Sequence, residues 1–112
     1  DAANMLVSTA YVTANDIKLD PLLILAVMAI ESGLNPFAES PVGAQGLMQV
    51  MSKIHHEKFQ KMGGVQAALN PVANIRVGAL ILKEEDLRRM LQIKTGEVFS
   101  RAKVERSVDA IT

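Results

Sequence analysis

The chain has 112 residues, enough for one domain around one modest core. Apolar residues make up 49% of it, which argues against wholesale disorder, and 12 basic residues balance 12 acidic ones to give a formal net charge of zero. That balance leaves no electrostatic footprint for nucleic acid or an anionic membrane, and the lack of cysteine rules out disulfides and thiolate metal sites.

Residues 2–14 read as a first helix, with Asp1 as its N-cap and Asn15-Asp16 breaking the pattern. The opening Asp-Ala-Ala-Asn has neither the basic start nor the apolar stretch of a signal peptide, which leaves the compartment open. The second helix has a clear start, with Asp20 as cap and Pro21 in the first turn, where its missing N–H costs nothing. Gly33 stops it, and Asn35-Pro36 confirms the break. Its apolar run, Leu22 to Ile30, is far short of the about 20 residues a bilayer span needs.

Residues 34–46 carry two prolines and two glycines and read as a structured loop. Residues 47–59 read as one or two short helices, with Gly63-Gly64 as the next break. Asn70-Pro71 then repeats the cap-plus-proline signal. The helix it opens is expected to run to Ile93, with Val77, Leu80, Leu87 and Leu91 on one face. Glu84–Arg88 and Glu85–Arg89 sit at favourable spacing on its solvated side. Thr95-Gly96 is expected to end it, before a charge-rich final helix from Val98 to Ile111. No alternating run of β-branched and aromatic residues marks a strand. The expectation is an all-α fold, with residues 1–112 as a single helical domain.

Glu31 ends the apolar run of the second helix. Ile24, Val27 and Met28 lie one or two turns below it on the same face, so an apolar setting is expected. Such a setting disfavours the ionised carboxylate and raises its pKa, which is how a glutamic acid stays able to donate a proton near neutral pH. Twelve positions on comes a second cluster, Gly43-Ala44-Gln45-Gly46-Leu47-Met48-Gln49. Taken singly, each signal has a structural reading: a glutamate that snorkels to water, and glycines that serve a turn. Together, in this order, they are far more specific. Glycines such as Gly43 and Gly46 leave backbone N–H and C=O groups open to close approach, and Gln49 adds a side-chain donor and acceptor.

His55-His56 is a poor metal site, because adjacent helical residues point in different directions. The six methionines read as core filler, Met48 apart.

Three ordered segments resemble the lytic transglycosylases, the catalytic domain typified by soluble lytic transglycosylase and related to goose-type lysozyme. They are Glu31-Ser32-Gly33-Leu34-Asn35-Pro36, then Gly43-Ala44-Gln45-Gly46-Leu47-Met48-Gln49-Val50-Met51, then Asn70-Pro71-Val72-Ala73-Asn74-Ile75-Arg76-Val77-Gly78-Ala79. The resemblance spans roughly residues 17–92. It implies a lysozyme-like helical domain that cuts peptidoglycan between N-acetylmuramic acid and N-acetylglucosamine and leaves a 1,6-anhydromuramoyl end. It also implies a location in the periplasm or cell envelope, action without metal or organic cofactor, and glycan strands as the partner. A monomer is the expected state. By motif position Glu31 is the catalytic acid, and Ser32, which follows it, positions the glutamate or substrate. Gly46, Leu47, Met48 and Gln49 would line the groove, and Asn74 and Ile75 match a segment of the helix backing the site.

Most glycosidases pair two carboxylates across the scissile bond. This chain offers no persuasive second one, since Glu39, eight positions on, reads as a solvated loop charge. A transglycosylase needs none, because the sugar's acetamido group stabilises the cation and its 6-hydroxyl replaces water. One buried glutamate then serves as acid and as base.

The chain departs from the family in one respect. Members carry an Ala-Tyr-Asn-like motif after the long helix, whereas the single tyrosine here is Tyr11 and residues 93–112 have no such pattern. The departure fits a gap in the chain near residues 92–102, a specialised enzyme that replaces the tyrosine, or a peptidoglycan-binding or scaffold module with weak or no catalysis. A goose-type lysozyme-like hydrolase is a further alternative. A DNA-binding helical domain is disfavoured by the neutral charge.

Overall fold

A computed structural model describes the backbone of residues 2–111 and the side chains of residues 2–92. The chain divides into two compact units, Asp1–Leu82 and Lys83–Thr112. In the first, α1 (Ala2–Ile17) packs on α2 (Pro21–Ser32), and a two-stranded antiparallel hairpin follows, β1 (Ala44–Gln45) with β2 (Val50–Met51). A short α3 (His56–Phe59) and two 3₁₀ turns, Gln60–Met62 and Val65–Leu69, lead into α4 (Pro71–Ile111). The second unit consists of the later part of α4. Among the described residues no helix is long and apolar enough to cross a membrane.

The boundaries of α2 are those its sequence dictates. Asp20 caps it through a 2.9 Å bond from Leu22 N–H, Pro21 opens it, and Gly33 ends it at φ +60°. The next residue, Leu34, is also left-handed (φ +66°), and its N–H reaches back to Met28 O (3.2 Å), satisfying a carbonyl of the last turn.

Other boundaries differ from expectation. Helix α1 passes through Asn15-Asp16 and ends at Lys18, which adopts φ +56° while Leu19 N–H bonds Ala14 O (2.9 Å). Each of those polar residues costs well under about 1 kcal/mol in a helix, so the end forms where Leu19 can join the core. Thr95-Gly96 likewise does not stop α4, because one helical glycine costs only about 1 kcal/mol. That continuity also shows that no residues are skipped between 92 and 102. Residues 47–51, expected to be helical, form a turn and a strand, and Gly46 and Gln49 adopt φ of +78° and +50° there, incompatible with helix.

The core joins all these elements of the first unit. Ala10 and Ala14 of α1, Ile24 and Met28 of α2, and Leu47 and Val50 of the hairpin meet Phe59, Ala68, Ile75 and Val77. The first turns of α4 are enclosed on more than one face, since Ala73, Asn74, Ile75, Val77 and Ala79 are all buried. Of the apolar face expected for that helix only Val77 is buried, whereas Leu80, Leu87 and Leu91 are exposed. Glu84, Glu85, Arg88 and Arg89 are exposed, as their spacing suggested.

Candidate active site

Glu31 occupies the last turn of α2, above the buried side chains of Ile24 and Met28. Its own side chain is exposed, and no hydrogen bond or ion pair holds it among the described residues. The expected burial of this carboxylate is therefore corrected. The apolar stripe beneath it ends one turn earlier, and Gly33 turns the chain away before anything covers the glutamate.

Ser32 ties this turn to the second motif. Its Oγ lies 2.7 Å from Leu47 O and 3.0 Å from Met28 O, so the single hydroxyl proton is shared between its own helix and the loop. Helix end and loop are thereby fixed to each other.

The loop is built around Asn74, which is wholly buried in α4. Its Oδ1 accepts from Met48 N–H (2.8 Å), while Nδ2 donates to Gln45 O (2.8 Å) and Ala68 O (2.7 Å). One amide thus satisfies three backbone groups that would otherwise be buried unpaired. The closeness demands Gly46: a Cβ there would lie 2.3 Å from Asn74 Nδ2, and its φ of +78° also disfavours any side chain. Gly78, the glycine of the third motif, has an equivalent reason. A Cβ on it would stand 2.6 Å from Met48 Sδ and 2.7 Å from Met48 Cβ. Sequence reading had given Gly78 no role; its signal was its place four residues after Asn74, one turn along the same helix face.

Gln49 closes the turn. Both protons of its Nε2 are used, one toward Gly46 O (2.9 Å) and one toward Ala38 O (3.1 Å). The amide oxygen is the part left to meet a ligand. The same Ala38 carbonyl accepts Gly46 N–H (2.8 Å), which binds the 34–40 loop to the hairpin. Glu39 is exposed, bridged to Gln45 across the strands, and accepts a long bond from Gln45 Nε2 (3.5 Å). Ser52 Oγ donates to the other end of that amide, Gln45 Oε1.

The structure thus brings Ser32, Gly46, Leu47, Met48, Gln49 and Asn74 together through direct contacts. It corrects how several present themselves. Gly46, Leu47 and Met48 are buried, and Asn74 and Ile75 are 0% exposed, so none offers a side-chain surface to a polymer. They lie in the core around the first turns of α4, where an apolar side chain or a satisfied amide is most stable. Only Ser32 and Gln49 of the expected lining retain partial exposure. Among the described residues no three acidic or imidazole groups gather where a metal could be held.

Residues 9–94 match the family profile described as the transglycosylase SLT domain. An endo-type membrane-bound lytic murein transglycosylase A of Klebsiella pneumoniae is 38% identical over 92 residues, covering 77% of this chain and 45% of that protein. A transglycosylase of Enterobacteria phage PRD1 is 44% identical over 67 residues, 60% of this chain and 23% of its own. In structure, an inactive mutant of the lytic transglycosylase Slt from Pseudomonas aeruginosa superposes with a TM-score of 0.62 at 32% identity, over 69% of this chain and 13% of that one. The chain spans less than half the length of these relatives. With the fold and the ordered motifs in agreement, the profile match over most of the chain shows that it belongs to the transglycosylase SLT domain family, an all-α, lysozyme-like fold.

Proposed function

We propose that this domain is a peptidoglycan lytic transglycosylase that cuts the β-1,4 bond between N-acetylmuramic acid and N-acetylglucosamine, with Glu31 as its single acid/base. The observation that carries the reading is the Ser32–Leu47 bond, which sets the turn bearing Glu31 against the loop bearing Gln49. Relatives named as lytic murein transglycosylases support it.

In the proposed reaction the Glu31 carboxyl gives its proton to the leaving glycosidic oxygen as the bond to the muramoyl C1 breaks. The acetamido oxygen of the same muramoyl residue stabilises the cationic centre. The 6-hydroxyl then attacks C1 and returns its proton to Glu31, closing the 1,6-anhydro ring without consuming water. Because Glu31 is exposed, the strand itself has to exclude water from the carboxyl group when it binds. The reaction as written requires no metal or organic cofactor. Its substrate would place the protein in the cell envelope.

Glu31→Gln tests this on purified sacculi. Release of anhydromuropeptides should fall by about 10²- to 10⁴-fold, the usual contribution of a positioned acid/base, with the thermal transition unchanged. Undiminished release would overturn the assignment. Products heavier by one water would indicate a hydrolase, and strand binding without products from the unmutated protein would indicate a binding module.

A further inference from the structure

The three most exposed large apolar side chains among the described residues are Ile30 (82%), Phe37 (76%) and Val42 (75%). All lie within eleven positions of Glu31. Phe37 is the aromatic one of the three, and its loop backbone is held on both sides. Its N–H donates to Asn35 Oδ1 (3.0 Å), and Pro36 before it has a fixed φ. Ala38 after it donates to Asn35 O (3.3 Å), and the Ala38 carbonyl takes both Gly46 N–H and Gln49 Nε2. The backbone that presents this exposed phenyl group is thus held one Cα step, about 3.8 Å, from the residue that anchors the Gln49 side chain. A loop free to rearrange would turn such a ring inward, since burying it is worth roughly 1.5–3 kcal/mol. Of the other two phenylalanines, Phe59 is core and Phe99 lies outside the described side chains, and the chain has no tryptophan.

We propose that Phe37 is a stacking platform for one sugar ring of the glycan strand, and that the ring it takes is N-acetylglucosamine. This rests on the carbohydrate reading of the site given above. A phenyl face fits the C–H face of a pyranose, and its fixed backbone means little ordering is needed on binding. N-acetylmuramic acid carries a bulky lactyl-peptide on O3 that crowds a flat contact, whereas N-acetylglucosamine leaves its ring open. The Gln49 amide nitrogen bonds the carbonyl of Ala38, the residue after Phe37, and its amide oxygen, left without an internal partner, can accept from a sugar hydroxyl.

The absence of tryptophan makes the test direct. Phe37→Trp introduces a lone indole, to be titrated with tetra-N-acetylchitotetraose in a Glu31→Gln background so that the probe is not consumed. A saturable emission shift is expected, while the control Tyr11→Trp on α1 should show none. Phe37→Ala should weaken probe binding, and raise KM on glycan strands in the otherwise unmutated chain, by about 3- to 10-fold, in line with one aromatic contact. Its kcat and thermal transition should hold, and Phe37→Trp should restore the KM. A flat Phe37→Trp emission with calorimetric binding intact, or an unaltered KM in Phe37→Ala, overturns the platform and leaves the reaction standing. No calorimetric binding of the probe or of glycan strands to any variant overturns the carbohydrate reading and the platform with it.

Discussion

Ser32 Oγ donates a 2.7 Å hydrogen bond to the carbonyl of Leu47, joining residues fifteen apart in sequence. That contact sets the turn of α2 that carries Glu31 against the loop that carries Gln49. Ser32→Ala should cost about 1 kcal/mol of stability, the usual net worth of one such bond. Because Glu31, the proposed acid, would then be free to drift from the loop, turnover should fall more than stability implies, by about tenfold or greater. Ser32→Thr, which keeps the hydroxyl, should recover most of the turnover. Chemical denaturation alongside product release from sacculi reads both effects.

Asn74 and Gly46 should behave as a pair. Asn74→Ala leaves Met48 N–H, Gln45 O and Ala68 O without their buried partner and should destabilise the domain by about 3 kcal/mol or more. Gly46→Ala should be at least as damaging, since its Cβ would strike Asn74 Nδ2. In the double variant the struck group is gone. Its cost should fall short of the sum of the two single costs by about 1 kcal/mol or more, measured by urea denaturation.

Thr13 in α1 offers a stabilising change. It is buried, and its Oγ1 has no hydrogen-bond partner. Thr13→Val keeps the shape and removes the unpaired hydroxyl, so stability should rise by about 1 kcal/mol, visible as an increase in Tm.

Glu57 gives the fold a small acid sensitivity. Hydrogen bonding from its own backbone N–H, with help from Lys58, holds its carboxyl below the ordinary value of 4.5. A folded-state pKa below the unfolded one adds stability above the unfolded value, and that stability is lost as pH falls through the folded value. Glu57→Gln should therefore lower Tm slightly at pH 7 and leave it unchanged at pH 2. The difference should shrink in added salt, because the group is exposed.

What the sequence determined by itself was local. Asp20, Pro21 and Gly33 bound α2 because capping, a missing N–H and left-handed backbone act within a few residues. The motif order likewise placed Glu31 at a helix end and the Gly46–Gln49 loop after it. Exposure was not legible, because it depends on what distant parts of the chain cover. The apolar run made Glu31 look buried, yet it is exposed. The side chains of Leu47 and Met48, expected beside the groove, are core, with Met48 packed against Gly78 of α4. The hairpin was missed because its strands have two residues each, too short for alternation to show. Its geometry comes from Asn74, which lies 26 residues from Met48 and binds its N–H, with Gly46 and Gly78 making room for that approach. Such a contact exists only once the chain has folded, so the tertiary structure alone decided which side chains of the motif hold the site together and which face the solvent.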